Sequence, residues 1–88
     1  MKVDIKKNSK RRLAIISGQV HGIQQMVDNE EYCINIITQI EAVREALSGV
    51  SNLILKNHLE THVVHGIKHG QDKKAIAEIL KIYKLGHK

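Results

Sequence analysis

CINIITQIEAVREALSGVSNLI, residues 33–54, decides the fold. Cys33, Ile36, Ile40, Val43, Leu47, Val50 and Ile54 recur at steps of 3, 4, 3, 4, 3 and 4, so one apolar stripe runs along an α-helix for three heptads. Gly49, Ser51 and Asn52 are poor helix formers. The chain contains no proline, however, and the pattern continues through His58 and His62, which predicts one helix from about Glu30 to His65. Some 35 residues of helix span about 50 Å, more than so small a domain uses internally. The stripe therefore needs a partner chain. The simplest closed arrangement is a two-fold dimer that pairs two of these helices antiparallel, with the preceding helices completing a four-helix bundle.

Upstream, Leu13, Ile16, Val20, Ile23 and Val27 give a second stripe and predict a helix from about Ser9 to Val27, preceded by a basic flexible arm over residues 1–8. Gly18 and Gly22 fall in mid-helix, each costing about 1 kcal/mol relative to Ala, and a close helix approach would account for them. Asp28-Asn29-Glu30-Glu31 reads as a short turn. Downstream, Gly66, Gly70 and Gln71-Asp72 mark a break, and Ile76, Ile79, Leu80 and Tyr83 predict a short third helix. The expected fold is all-α: a three-helix protomer with one long central helix, forming a single domain over residues 1–88.

Composition narrows the function. With 88 residues the chain holds one domain, and an isolated chain of this size buries only about 60–65% of its unfolded surface, which again favours association. Phe and Trp are absent and Tyr32 and Tyr83 are the only aromatics, so the stacking platforms of single-strand nucleic-acid binders are missing. Residues 1–27 carry six bases against Asp4, residues 28–60 carry Arg44 and Lys56 against six acids, and residues 61–88 carry six bases against Asp72 and Glu78. Basic ends around an acidic middle suit a polyanion such as DNA, or an ordinary solubilising surface. Lys6, Lys7, Lys10, Arg11 and Arg12 crowd the early turns of the first helix, where they oppose its dipole, which hints at an external anion. No signal peptide or stretch of about 18 apolar residues is present, so no membrane segment is expected. The single cysteine cannot form a disulfide within the chain and points to a reduced, cytoplasmic setting. No set of nucleophile, base and orienting group is recognisable, and an enzyme is not expected.

The remaining chemistry lies in Cys33 and the histidines. His58, His62, His65 and His69 are spaced 4, 3 and 4, near one helical face, and two histidines at i and i+4 can share a metal ion or simply face solvent. A thiolate with imidazoles is a ligand set for copper(I), zinc or nickel. Twenty-five residues of helix, about 37 Å, separate Cys33 from His58, so one chain cannot bring them together. In an antiparallel pair Cys33 of one chain can meet His58 and His62 of the other, at two sites per dimer. Equally, Cys33 can serve as a small buried hydrophobe on the stripe.

Arg12-Leu13, Ile16, Gly18-Gln19-Val20, Gly22-Ile23, Met26, Cys33, Gln39-Ile40, Ala42-Val43, His58-Leu59 and His62 together resemble the CsoR/RcnR family of metal-responsive transcriptional repressors, over nearly the whole chain. The resemblance implies a dimer or dimer of dimers without a helix-turn-helix, and operator DNA that is released when metal binds at Cys33, His58 and His62. Copper(I) sensors of the family usually carry Cys, His, Cys; His62 instead resembles the nickel(II) and cobalt(II) sensors. Those also use a histidine near the N-terminus, and residues 1–20 have none. The Cys, His, His set that is left suits low-coordinate copper(I) better than six-coordinate cobalt(II). Tyr32 and Glu78 match the Tyr and Glu that copper sensors of the family place around a ligand histidine, where they orient the imidazole. The persulfide branch needs a second cysteine and the formaldehyde branch an N-terminal Pro, both absent here. Lys7, Lys10, Arg11, Arg12, Arg44 and Lys56 are the expected phosphate contacts. His65 and His69 have no evident role in the family pattern. A metal buffer or carrier with an incidental basic surface is the competing reading, and it would lack sequence-specific DNA affinity.

Overall fold

The computed structural model describes residues 1–63, 70 and 72–86. Their regular elements are α1 (Val3–Asp28), α2 (Cys33–His58), a π-helical turn (Leu59–Val63) that continues α2, and α3 (Asp72–Gly86). The three predicted helices are all present, with different ends.

Helix α1 begins at Val3, so residues 3–8 of the expected flexible arm form the first turns of the helix. The reason is non-local. Lys2, the N-cap, offers no side-chain cap, but its backbone N–H donates to Oδ1 of Asn57 at the far end of α2, at 3.3 Å. Asp4 in the first turn adds favourable charge at the helix N-terminus. Lys2 Nζ also lies 3.7 Å from Oε2 of Glu60.

The other end of α1 displaces the predicted start of α2. Glu31 N–H donates to Met26 O and Glu30 N–H to Val27 O, both at 3.0 Å, with Glu30 at φ 50°. These are the paired bonds of a Schellman motif with a left-handed residue just past the helix. Glu30 thus closes α1, and α2 starts three residues later, at Cys33. Left-handed backbone strains a residue bearing a Cβ by about 1–2 kcal/mol, part of which glycine returns as unfolded-state entropy. Glu30→Gly should therefore stabilise the fold by up to about 1 kcal/mol in urea denaturation, and a loss of stability would contradict this geometry.

α1 and α2 form an antiparallel hairpin around Ile16, Val43 and Val50, with Ile23, Ala46 and Ile54 packed against them. Burial of each large aliphatic side chain contributes about 1.5–3 kcal/mol. One heptad further out, the same seam turns polar: Ser9 and Asn57 are both buried, and Ser9 Oγ has no hydrogen-bond partner among the described residues. Gly18 and Gly22 lie away from this seam. Apart from their chain neighbours and their own helical backbone, no described residue comes within 4 Å of where their Cβ atoms would be, so the expected close helix approach is not made among the described residues.

The α2 stripe is divided. Val43 and Val50 face α1, while Ile40 and Leu47 remain at least two-fifths exposed, and Cys33, Ile34 and Ile37 are also exposed. The Cα atoms occupy a slab of 56 × 30 × 13 Å, about one helix thick. Its accessible surface of 7136 Å² exceeds by about 1,900 Å² the roughly 5,200 Å² of a compact monomer of this mass. A single chain leaves its second apolar face uncovered.

Candidate metal centre

Cys33 is the first residue of α2 and His58 the last, joined by an uninterrupted α-helix. Twenty-five residues at 3.6 per turn amount to seven turns less about 20°, so the two side chains leave the helix in nearly the same direction, about 37 Å apart. Ile40 projects along the same line, on the uncovered face. The expected separation within one chain is therefore observed, and among the described residues no three His, Cys, Asp or Glu groups gather where they could hold a metal ion. Cys33 is exposed, not buried on the stripe.

His58 is held in place. Its Nε2 lies 2.9 Å from Oε2 of Glu78 on α3, and both side chains are about one-third exposed. With the N–H donating to the carboxylate, the imidazole plane is fixed and coordination would fall to Nδ1. This bond also ties the end of α2 to α3. The π-helical turn begins at the next residue and contains His62, of which the backbone alone is described. π-turns are uncommon and concentrate at functional sites. Beside His58, a groove between α2 and α3 is lined by Ser51, Ile54, Leu55, Ile82 and Tyr83.

Tyr32, the N-cap of α2, is exposed and sits at the Cys33 end, so this chain does not bring it to its own His58 and Glu78. His65 and His69 lie outside the described residues.

The basic residues separate into groups. Lys7, Lys10 and Arg11 are exposed on the outer side of α1, opposite Ser9 and Ile16, and Arg11 Nη2 donates to Asn8 Oδ1 at 3.0 Å. Arg12 turns towards α2: its Nη1 lies 3.7 Å from where a Cβ of Gly49 would be. Arg44 Nη1 is 3.2 Å from both carboxylate oxygens of Glu41, which partly neutralises it. Lys56 is exposed near the other end of α2.

Lys2, Asn57 and Glu60, which flank His58 in space, escaped the sequence reading. The available signal was a polar residue at 57, one heptad step beyond Val43 and Val50 on an apolar column.

No described helix is long and apolar enough to cross a membrane. A family model described as "Metal-sensitive transcriptional repressor" matches residues 5–84. The copper-sensing transcriptional repressor CsoR of Bacillus subtilis is 44% identical over 73 residues, covering 83% of this chain and 72% of that protein. The transcriptional repressor RcnR of Citrobacter koseri is 33% identical over 81 residues, covering 89% and 90%. Among solved structures, the copper-sensing repressor CsoR with Cu(I) from Geobacillus thermodenitrificans superposes with a TM-score of 0.93 at 33% identity, covering all of this chain and 92% of that one. A match spanning 5–84 with these relatives places the chain in the metal-sensitive transcriptional repressor family, the CsoR/RcnR family, whose members regulate transcription and are not enzymes.

Proposed function

We propose that this protein is a copper(I)-responsive repressor that holds operator DNA in its metal-free form and releases it when copper(I) binds between two chains, at Cys33 of one and His58 and His62 of the other. The observation that carries the reading is the placement of Cys33 and His58 at opposite ends of one uncovered helical face. Two such faces packed antiparallel bring each Cys33 to a His58. The donor set fits: one thiolate and two imidazoles suit a soft, low-coordinate ion, and copper(I) would supply strong bonds that join the two chains. Glu78 orients the His58 ring, and Tyr32 arrives at this site from the other chain together with Cys33. The names of the relatives, two copper-sensing repressors among those described, point the same way.

The uncovered surface supports a homodimer, and the open face of α3, with Ile76, Leu80 and Tyr83 exposed, supports a homotetramer built from two of them. Lys7, Lys10 and Arg11 form the principal phosphate-contacting face, with Lys56 and the partly neutralised Arg44 on α2 as further contacts and Arg12 reaching DNA from beside Gly49. A reduced cytoplasmic setting keeps Cys33 available as a ligand.

Coupling between metal and DNA is reciprocal: if metal weakens DNA binding about 100-fold, DNA weakens metal binding by the same factor, about 2.7 kcal/mol. The test is fluorescence anisotropy with DNA from the protein's own promoter region, anaerobic and at fixed salt, with copper(I), nickel(II), cobalt(II) or no metal. Copper(I) should weaken binding about 100-fold. Release by nickel(II) or cobalt(II) alone would make this a nickel/cobalt-responsive repressor, with His62 decisive. Metal binding without sequence-specific DNA affinity would make it a buffer or carrier.

A further inference from the structure

Helix α1 carries the phosphate-contacting bases but has no side-chain cap of its own; the acceptor for its N-cap residue comes from α2. That acceptor is Asn57, the residue immediately before His58, and the second tie from Lys2 reaches Glu60, inside the π-helical turn that follows His58. Both contacts thus join the start of α1 to residues that bracket one candidate ligand. They differ in strength. The acceptor, Asn57, is 4% exposed, so its part-buried bond to Lys2 N–H is shielded from water on the acceptor's side, whereas the Lys2 and Glu60 side chains are about half exposed and their ion pair is screened. On the same seam as Asn57, the buried hydroxyl of Ser9 has no partner among the described residues, so this end of the hairpin is less well satisfied than the Ile16, Val43 and Val50 layers.

Building on the reading above, we propose that Asn57 is a positioning residue that latches the N-terminus of α1 to the His58 end of α2, so that occupancy of the metal site alters the orientation of Lys7, Lys10 and Arg11. A shift of His58 moves Asn57 with it, because they are adjacent in one rigid helix. The movement reaches α1 through Lys2, five residues before Lys7. Without the latch, the two ends of the hairpin respond independently, and metal and DNA binding persist with little coupling.

The experiment compares the unaltered protein with Asn57→Leu, which removes the acceptor at similar volume, and with Asn57→Asp, which keeps it. An acid there also faces the positive end of the α1 dipole. Lys2→Ala removes the Glu60 pair but leaves the backbone N–H. Amide hydrogen exchange over residues 2–6 of the metal-free protein reads the latch directly, and the ratio of DNA affinities without and with copper(I) reads the coupling. Asn57→Leu should speed exchange and reduce a ratio of about 100 to below about 10, with both ligands still bound. Asn57→Asp should restore both readouts, and Lys2→Ala should leave them near the original values. Unchanged exchange in Asn57→Leu, or faster exchange with an unchanged ratio, overturns the inference. If copper(I) leaves DNA binding of the unaltered protein unchanged, the copper reading itself fails and this inference falls with it, an outcome visible before any variant is made.

Discussion

With the proposed antiparallel pair, Ile40→Glu should leave single chains of 9.9 kDa that no longer bind copper(I). Ile40 lies between the Cys33 and His58 ends of α2, in nearly the same direction as both, and it is two-fifths exposed in one chain. In an antiparallel pair that sets Cys33 against His58, Ile40 of each chain falls opposite Ser51 of the other, which offers a glutamate no charge, and Arg44, one turn on in the same chain, is already engaged by Glu41. An uncompensated carboxylate in a covered interface costs about 3–5 kcal/mol, and the two-fold axis places two of them in each dimer. At 1.4 kcal/mol per decade, association weakens by at least about four decades. Sedimentation equilibrium gives the mass, circular dichroism confirms that helices remain, and anaerobic copper(I) titration gives the binding. An oligomer of unchanged mass would show that the Cys33–His58 face of α2 is not the interface.

Much of this architecture was legible in the sequence because aliphatic residues dominate the stripes that mark its helices, and no proline interrupts the period. The stripe from Cys33 to Ile54 foretold a helix with more apolar surface than one chain can cover, and the uncovered Ile40 and Leu47 bear this out. Which members of the stripe would meet α1 was not legible. A 3.5-residue repeat drifts around a 3.6-residue helix, and the hairpin twist decides whether Val43 or Leu47 turns inward. The end of α1 was read to within one residue, but the start of α2 was placed three residues too early, because the left-handed residue that closes α1 is Glu30, where a glycine would have marked the break. The beginning of α1 was misplaced because the capping acceptor, Asn57, lies 55 residues away. Local propensity has no access to such a bond. The Glu78 contact to His58 was expected from the family pattern and is present, but Tyr32 stands at the other end of α2, where only a second chain can bring it to His58.

On the proposed reading, Cys33→Ser and His58→Ala should each leave a protein that binds DNA and ignores copper(I), and a mixture of the two should respond again. Cys33 is exposed and His58 is one-third exposed, so neither substitution opens a core cavity. Loss of a groups that orient ligands commonly lowers metal affinity 10–100-fold, and loss of a ligand itself should exceed about 100-fold. The recovery follows from symmetry. Each site draws its cysteine from one chain and its histidines from the other, so a mixed dimer has one site lacking both altered ligands and one site with Cys33, His58 and His62 all intact. Random exchange makes about half the dimers mixed, and half the sites in those are whole, so about a quarter of the original high-affinity capacity returns. Competition with a copper(I) chelator counts these sites, and DNA anisotropy reports whether they act. No recovery after demonstrated subunit exchange would mean that Cys33 and His58 do not share a metal ion, and the repressor would need another route from copper to DNA.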